Sequence, residues 1–368
     1  VLNGCSRAAL AYAAHFNDFN DFNERKKIIM LELKNYAKGD GITDDTAAFQ
    51  KAVDRAHETG EPLYINEGKY VCGEIFIKPE VHIKADHAWG YRLDRPGGAV
   101  ILQRDESQAC VFDVTEANGA TFDGLSFVGL HKGNCIGILS RKKDYGKEED
   151  AYRIENCRVA HFGSHAVFLD FVWCFCVRHC MFAYSGGDGL AINGWDGFVI
   201  DNWFSGNGGA GFGSQGPNAA VTMTGNRIEW NKRGGIVLEG GSHYNITGNY
   251  IDRSGSAAIN LHGTSVVSCT GNVIYRSGKF EGSIADSAQC ILDGCKGLTF
   301  TGNTMNVGRD DGGVGDWTPN YALRLSNLEN SAVTSNVFHS GGMSGLIDDR
   351  GGHLNSVIKD NVGSVYGE

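Results

Sequence analysis

Glu229 and Asp252 each follow an asparagine by three residues, Asn226 and Asn249, in successive copies of one sequence pattern. If the copies stack as neighbouring strands, the two carboxyl groups stand about 5 Å apart. Carboxylates that close do not both ionise freely, so one pKa rises. A protonated and an ionised acid roughly 5–5.5 Å apart are the pair that breaks a glycosidic bond with retention. Glu239, ten residues beyond Glu229 across a small-residue turn, offers a second partner on the same copy, and Asp188 and Asp196 add carboxylates to an earlier one. The competing reading is structural: Arg227, Arg253 and Arg276 lie close enough in sequence to neutralise Glu229 and Asp252.

A second set of polar letters sits at the ends of six apolar segments, "AVFLD", "GLAIN", "GFGSQ", "GIVLE", "AINLH" and "CILD". The alternation of these segments is that of a half-buried strand, whose second and fourth positions point inward and whose last points outward. The last positions are Asp170, Asn193, Gln215, Glu239, His262 and Asp293, a row of acceptors, amides and an imidazole without a lysine. Within it Asn193, Gln215 and His262 are expected to orient substrate hydroxyls, and the small Ala191 and Gly213 just before it are expected to let a ligand approach the backbone. Trp195, Trp203 and Trp230 fall at turn or outward positions of three neighbouring copies and offer flat faces for sugar rings. A solvated polar face and buried or interfacial tryptophans are the plain alternatives.

The elements that must position these residues follow from the repeat. Aligning Asn156, His179, Asn202, Asn226, Asn249, Asn272, Asn303 and Asn336 gives spacings near 23 residues, stretched between the last three. Three short strands and their turns fill such a unit. One unit cannot bury its own apolar face, so the units stack. The expected fold is all-β, a right-handed parallel β-helix, with the recurrent asparagine stacking on its counterpart in the next coil. Ahead of the coils, "DDTAAFQKAVDRA" is amphipathic and predicts a capping helix with Thr43 or Asp44 at its N-cap and Ala47, Phe49, Ala52 and Val53 inward. The expected divisions are an N-terminal extension over 1–32, cap and first coils over 33–118, and β-helix over 119–368.

Composition agrees. The 368 residues include 52 glycines and only 5 prolines, which suits many tight turns. A formal net charge of −10 argues against a nucleic-acid partner, and no apolar run is long enough to span a membrane. The 11 cysteines form no metal-ligand spacing; Cys176 alternates as a core residue, and free buried thiols fit a reducing, cytoplasmic compartment, with secretion left open. No metal or cofactor is expected. Met30 opens a plausible start. The charged insert 140–150 is expected to lie exposed in solvent, and the inserts 279–289 and 308–320 to rim a groove with Asp316 and Trp317 reaching over it, solvent loops being the plain alternative.

The stretch "KGDGITDDTAAFQKAV…LYINEGKYV" resembles the N-terminal cap of the pectate-lyase-like superfamily of right-handed parallel β-helix proteins. With the coils, the resemblance spans roughly 33–365. It implies a carbohydrate-active protein, and in many relatives a homotrimer. Against polygalacturonases, "GGDGLAI" keeps Asp188 but has Gly187 for its partner, and Ala210 stands where their histidine would be. "VWCFCVRH" only echoes a motif of calcium-dependent lyases. A looser similarity to inulin fructotransferases and difructose-anhydride hydrolases implies two carboxylates one strand apart, the roles open to Glu229 and Glu239. The expected activity is therefore cleavage or rearrangement of glycosidic bonds in a neutral oligo- or polysaccharide. A lyase or epimerase acting on uronic acids, or a phage-type glycan-binding adhesin without turnover, is the alternative.

Overall fold

The computed structural model describes residues 30–86, 97–278, 287–308 and 318–368. Each repeat folds as one coil. In a central coil the first strand is Gly234–Glu239, the second Ser242–Thr247 and the third Tyr250–Asp252. First and second strands pair coil to coil in a 23-stranded sheet, and third strands form a 13-stranded sheet. All the pairings between these strands are parallel, as stacked copies of one unit must be. Strands from 31 onward join these same two sheets, so the segments 33–118 and 119–368 share one stack.

The inward positions expected from the alternation are buried: Val167 and Leu169, Leu190 and Ile192, Ile236 and Leu238, and Ile259 and Leu261 are all 0 % exposed. Phe182 and Phe204 stack on consecutive coils with ring centroids 5.2 Å apart. The capping helix α1, Thr46–Thr59, lays Phe49, Ala52, Val53 and Ala56 on the end of this core, where Phe49 meets Phe112 edge-on. Its N-cap is Asp45 rather than Thr43 or Asp44. Asp44 still accepts the Thr46 backbone N–H, while the Asp45 carboxylate turns back to the N–H groups of Lys38 and Gly39. Ala47 faces solvent, against the inward expectation, because it lies off the Phe49–Val53–Ala56 face.

The asparagine ladder runs from Asn202 through Asn226, Asn249, Asn272, Asn303 and Asn336 to Asn361. Each side-chain oxygen accepts the backbone N–H and the amide of its counterpart one coil earlier, at 2.9–3.1 Å. Asn156 and His179 sit one position before this slot, which on their coils holds Cys157 and Cys180. Theirs is the left-handed corner position, with φ of 53° and 52°, where later coils place glycine, as at Gly248 with φ of 66°. Glycine takes that conformation without a Cβ penalty, and asparagine tolerates it better than most residues. A second, shorter ladder at the next corner links Ser185, Asn207 and Asn231.

Of the ten described cysteines eight are buried and none is in a disulfide; Cys174 is exposed and Cys176 half-buried, so Cys176 is not the core residue its alternation suggests. Val177 takes the inward place instead.

Candidate active site

The strand-final residues stand in one line on the outer face of the first strands. Arg141 is in register with Asp170, Asp170 with Asn193, Glu239 with His262, His262 with Asp293, and Asp293 with Ser326. Gln215 fills the remaining place, one residue past the pairing of Ile192 with Ser214. The line changes character along its length. At one end Asn193 is buried: its amide donates to Asp170 at 2.9 Å, and its oxygen accepts the Tyr145 hydroxyl at 3.3 Å. Tyr145 also stacks on Trp195 at 3.9 Å, so the charged insert 140–150 is folded onto the coils rather than left in solvent. Lys142 and the Trp173 N–H both bind its last residue, the buried Asp150. Trp195 keeps 41 % of its surface exposed.

At the other end the side chains are open. Glu239 is exposed, and its carboxylate has no cation or hydrogen-bond partner among the described residues; only its backbone N–H is engaged, by Ser214. Beside it His262 holds Asp293 through Nδ1 at 2.9 Å, which leaves Nε2 facing away from that carboxylate. The Ser326 hydroxyl, then the Asn327 amide and His262, keep Asp293 below the usual carboxylate range, so it stays ionised.

Between the two ends lies a cluster that the sequence reading saw only in part. The Asp188 carboxylate, 3 % exposed, accepts the Ala210 N–H at 2.7 Å, the Gln215 amide at 2.9 Å, and one Arg233 nitrogen at 3.0 and 3.1 Å. His165, one coil earlier, accepts the Asp188 backbone N–H at Nδ1, 2.9 Å away. Arg233 lies 45 residues from Asp188 and reaches it across a whole coil. That reach requires empty space on the coil between. A Cβ on Gly213 would stand 2.2 Å from the Asp188 carboxylate and 2.5 Å from Arg233. The small outward positions Ala191 and Gly213 are therefore not an open approach to the backbone: both are buried, and Gly213 is roofed by this ion pair. The glycine-rich "GGAGFGS" next to Asp188 was the signal for a side chain crossing over.

His165 is neutral by construction, since its Nδ1 is an acceptor. Burial pushes its pKa down, Arg233 adds to this, and Asp188 opposes it. An unfolded histidine takes up its proton at about 6.5. The folded form resists until lower pH, so in that window the unfolded state binds more protons and stability falls as pH falls. The contribution is fully present above about 6.5 and declines below it, with a slope of at most about 1.4 kcal/mol per pH unit. Urea unfolding at stepped pH below neutrality should show this slope in the parent and a shallower one in His165→Gln; equal slopes would remove the argument.

The Glu229–Asp252 pair is on the other sheet. The two residues are in register on adjacent third strands. Glu229 accepts the Trp203 indole N–H at 2.9 Å and the Arg227 Nε at 3.0 Å. Asp252 is bound by Arg253 at 2.6 Å and by Arg276 at 3.1 and 3.2 Å. Burial raises the Asp252 pKa, the two arginines oppose it, and Glu229 adds to the rise. Both carboxylates are buried and engaged by these contacts, the arrangement that the structural alternative expects. Nor are Glu229 and Glu239 brought together: one ends a third strand, the other a first strand of the opposite sheet. Trp203 and Trp230 belong with that network; Arg227 lies over Trp203 at 5.4 Å and Arg253 over Trp230 at 4.5 Å. They do not form one platform with Trp195. Asp196 occupies an exposed, left-handed position within the strand Leu190–Ile200, beside Trp195. Trp317 and Asp316, with most of the two later inserts, lie outside the described residues.

Comparison with known proteins fits this architecture. The family described as "right handed beta helix region" matches residues 110–274 and 213–366. The chain belongs to the right-handed β-helix family. A second family, "rhamnogalacturonase A/epimerase, pectate lyase-like", matches residues 34–88, the capping segment of this β-helix protein. A capsule K30/K69-specific depolymerase of Klebsiella phage K5-2 is 27% identical over 217 residues, 55% of this chain and 26% of the depolymerase. The chain thus spans about a quarter of that relative's length. Similar folds include PfbA, a surface adhesin of Streptococcus pneumoniae (TM-score 0.66, 16% identity, 91% and 93% of the two chains). DFA-IIIase from Arthrobacter chlorophenolicus A6 (0.65, 13%, 87% and 94%) and the A-module of the Azotobacter vinelandii mannuronan C-5 epimerase AlgE6 (0.57, 17%, 91% and 99%) share it too.

Proposed function

We propose that this β-helix protein cleaves glycosidic bonds of a polysaccharide on the outer face of its first strands, with Glu239 as the acting carboxylate. One observation carries the reading: Glu239 is an exposed carboxylate, without a cation partner among the described residues, in register with the His262–Asp293 pair. The partner of Glu239 is then an imidazole backed by a carboxylate instead of a second free acid. Asp293 orients His262 and balances the charge of the imidazolium form that serves as the acid, a form left as neutral imidazole once its proton is given up. Nε2–H of His262 protonates the departing oxygen, and Glu239 attacks the anomeric carbon or activates water. Asp188, held by Arg233, Ala210 and Gln215, is a positioning group: it fixes the Gln215 amide one coil before Glu239. The similarity to a capsule depolymerase supports a polysaccharide substrate, and the similarity to an adhesin keeps binding without turnover as the reading to defeat.

The deciding assay incubates the purified chain with a panel of neutral and uronic bacterial capsular polysaccharides and follows products by mass and ultraviolet absorbance. Water-added or anhydro fragments without new absorbance are the expected result. Unsaturated products would move the reaction to the lyases, and binding without fragments would make the protein an adhesin.

A further inference from the structure

The line of strand-final residues does not stop at Arg141. Phe76 is in register with Asp113, which places Lys78 and Thr115 on the same row, two coils and one coil before Arg141. Here the surface dips into a cavity of about 290 Å³ lined by Phe76, Lys78, Asp113, Thr115, Glu116 and Arg141. This is near the small end of the volumes that small-ligand sites occupy, roughly 300 Å³.

Phe76 leaves 49 % of its surface in solvent, and its place is fixed from behind. The Gln50 side chain of α1 accepts the Phe76 N–H at 2.8 Å and donates to the Phe76 carbonyl at 2.9 Å. An apolar ring pinned open in this way gains nothing for the core. The polar groups around it are equally set. Arg141 grips Asp113 through Nε at 2.9 Å and one terminal nitrogen at 2.7 Å, and its backbone N–H is accepted by the Thr115 hydroxyl. Lys78 and Arg141 face Asp113 and Glu116, and Glu74 adds a third acid at 3.4 Å from Arg141, so the wall has no excess of positive charge and is rich in donors and acceptors. A flat apolar platform beside a polar wall without excess positive charge is complementary to a neutral polyhydroxylated ring whose C–H face lies on the aromatic.

We infer that this cavity is a sugar-binding subsite for a neutral pyranose unit, distinct from the residues around Glu239. Four coil steps separate Arg141 from Glu239, about 19 Å at the spacing of paired strands. One glycan chain would reach both by passing outside the Tyr145–Trp195 stack that covers the row at Asn193, and this second statement rests on the cleavage reading above, whereas the binding itself does not.

The test uses the full chain labelled at isoleucine and threonine methyl groups, titrated with methyl glucoside, methyl galactoside and methyl mannoside. Ile77 and Thr115 report from the cavity wall. At least one glycoside should shift both signals saturably at millimolar concentration. Phe76→Ala should weaken that binding about tenfold, Phe76→Trp should restore it, and Glu239→Gln should leave it unchanged. No saturable shift with any of the three, or equal binding by Phe76→Ala, overturns the assignment. Because the readout is binding, it fails or succeeds separately from cleavage: loss of turnover with intact shifts defeats only the catalytic proposal.

Discussion

Glu239→Gln should lower turnover of a cleaved glycan by roughly 10²–10⁴-fold, the range for removal of a positioned acid or base. The substitution keeps the side chain's shape and removes its charge. Among the described residues nothing depends on that charge, since Glu239 is exposed and the hydrogen bond it makes to Ser214 comes from its backbone. Thermal unfolding should therefore match the parent, and substrate binding should survive. Released reducing ends, counted under single-turnover conditions, give the loss directly. The comparison that gives the result its meaning is Glu229→Gln. Glu229 is gripped by Arg227 and Trp203 on the other sheet, so that variant should lose stability and keep its turnover when folded. If the pattern is reversed, the reaction belongs to the third-strand face. If both variants turn over normally while Asp188→Asn is dead, it belongs to the Asp188–Arg233 cluster.

Asn249→Ala should cost about 3–5 kcal/mol, among the larger effects of a single substitution. The Asn249 side chain accepts the Asn226 N–H at 3.0 Å and the Asn226 amide at 2.9 Å, and it donates to the Met223 carbonyl and to the Asn272 oxygen, each at 3.0 Å. It is 1 % exposed, so water cannot replace these partners. Each buried group left without a partner costs about 1–3 kcal/mol. Asn249→Asp should be no better, because an oxygen would then face the Met223 carbonyl. Stacked coils touch only their neighbours, so the damage should stay local. Hydrogen exchange should quicken in the coils around 223–275 and much less at the capping helix. Uniform loss of protection along the chain would mean that the coils do not unfold as separate units.

Much of this fold is legible because a solenoid writes its contacts into sequence at a fixed interval. The inward pairs Ile236/Leu238 and Ile259/Leu261 need only alternation and the repeat to be placed. The row from Asp170 to Asp293 needs one step more, that equivalent letters stack. What escapes is any interaction between letters that are not equivalent. Arg233 reaches Asp188 from a turn two coils away and does not share its place in the repeat; His165 does share it, 23 residues earlier, but meets Asp188 through a backbone N–H that no side-chain letter announces. The carboxylates at 229 and 252 were readable as neighbours, and so were the arginines around them. Their burial was not, because it depends on Trp203, Arg227 and Arg276 lying flat on the outside of a sheet. The one-residue displacement of Asn156 and His179 has a similar origin. A residue in the left-handed corner and one in the ladder slot can both be asparagine, for different reasons.

The coil interval also makes this molecule a ruler. The ladder asparagines all bond in the same direction, each taking from the coil before and giving to the coil after. A unit such as 226–248 therefore carries the plug for one neighbour and the socket for the next. Adding or deleting one such unit between the coil of Arg141 and the coil of Glu239 leaves every ladder bond type intact. It changes the gap between those two places in fixed increments of about 4.8 Å. On the proposed cleavage reading, chain-length preference and bond-breaking chemistry would be separately adjustable: the first is a number of coils, the second the side chains Glu239, His262 and Asp293 on three successive ones.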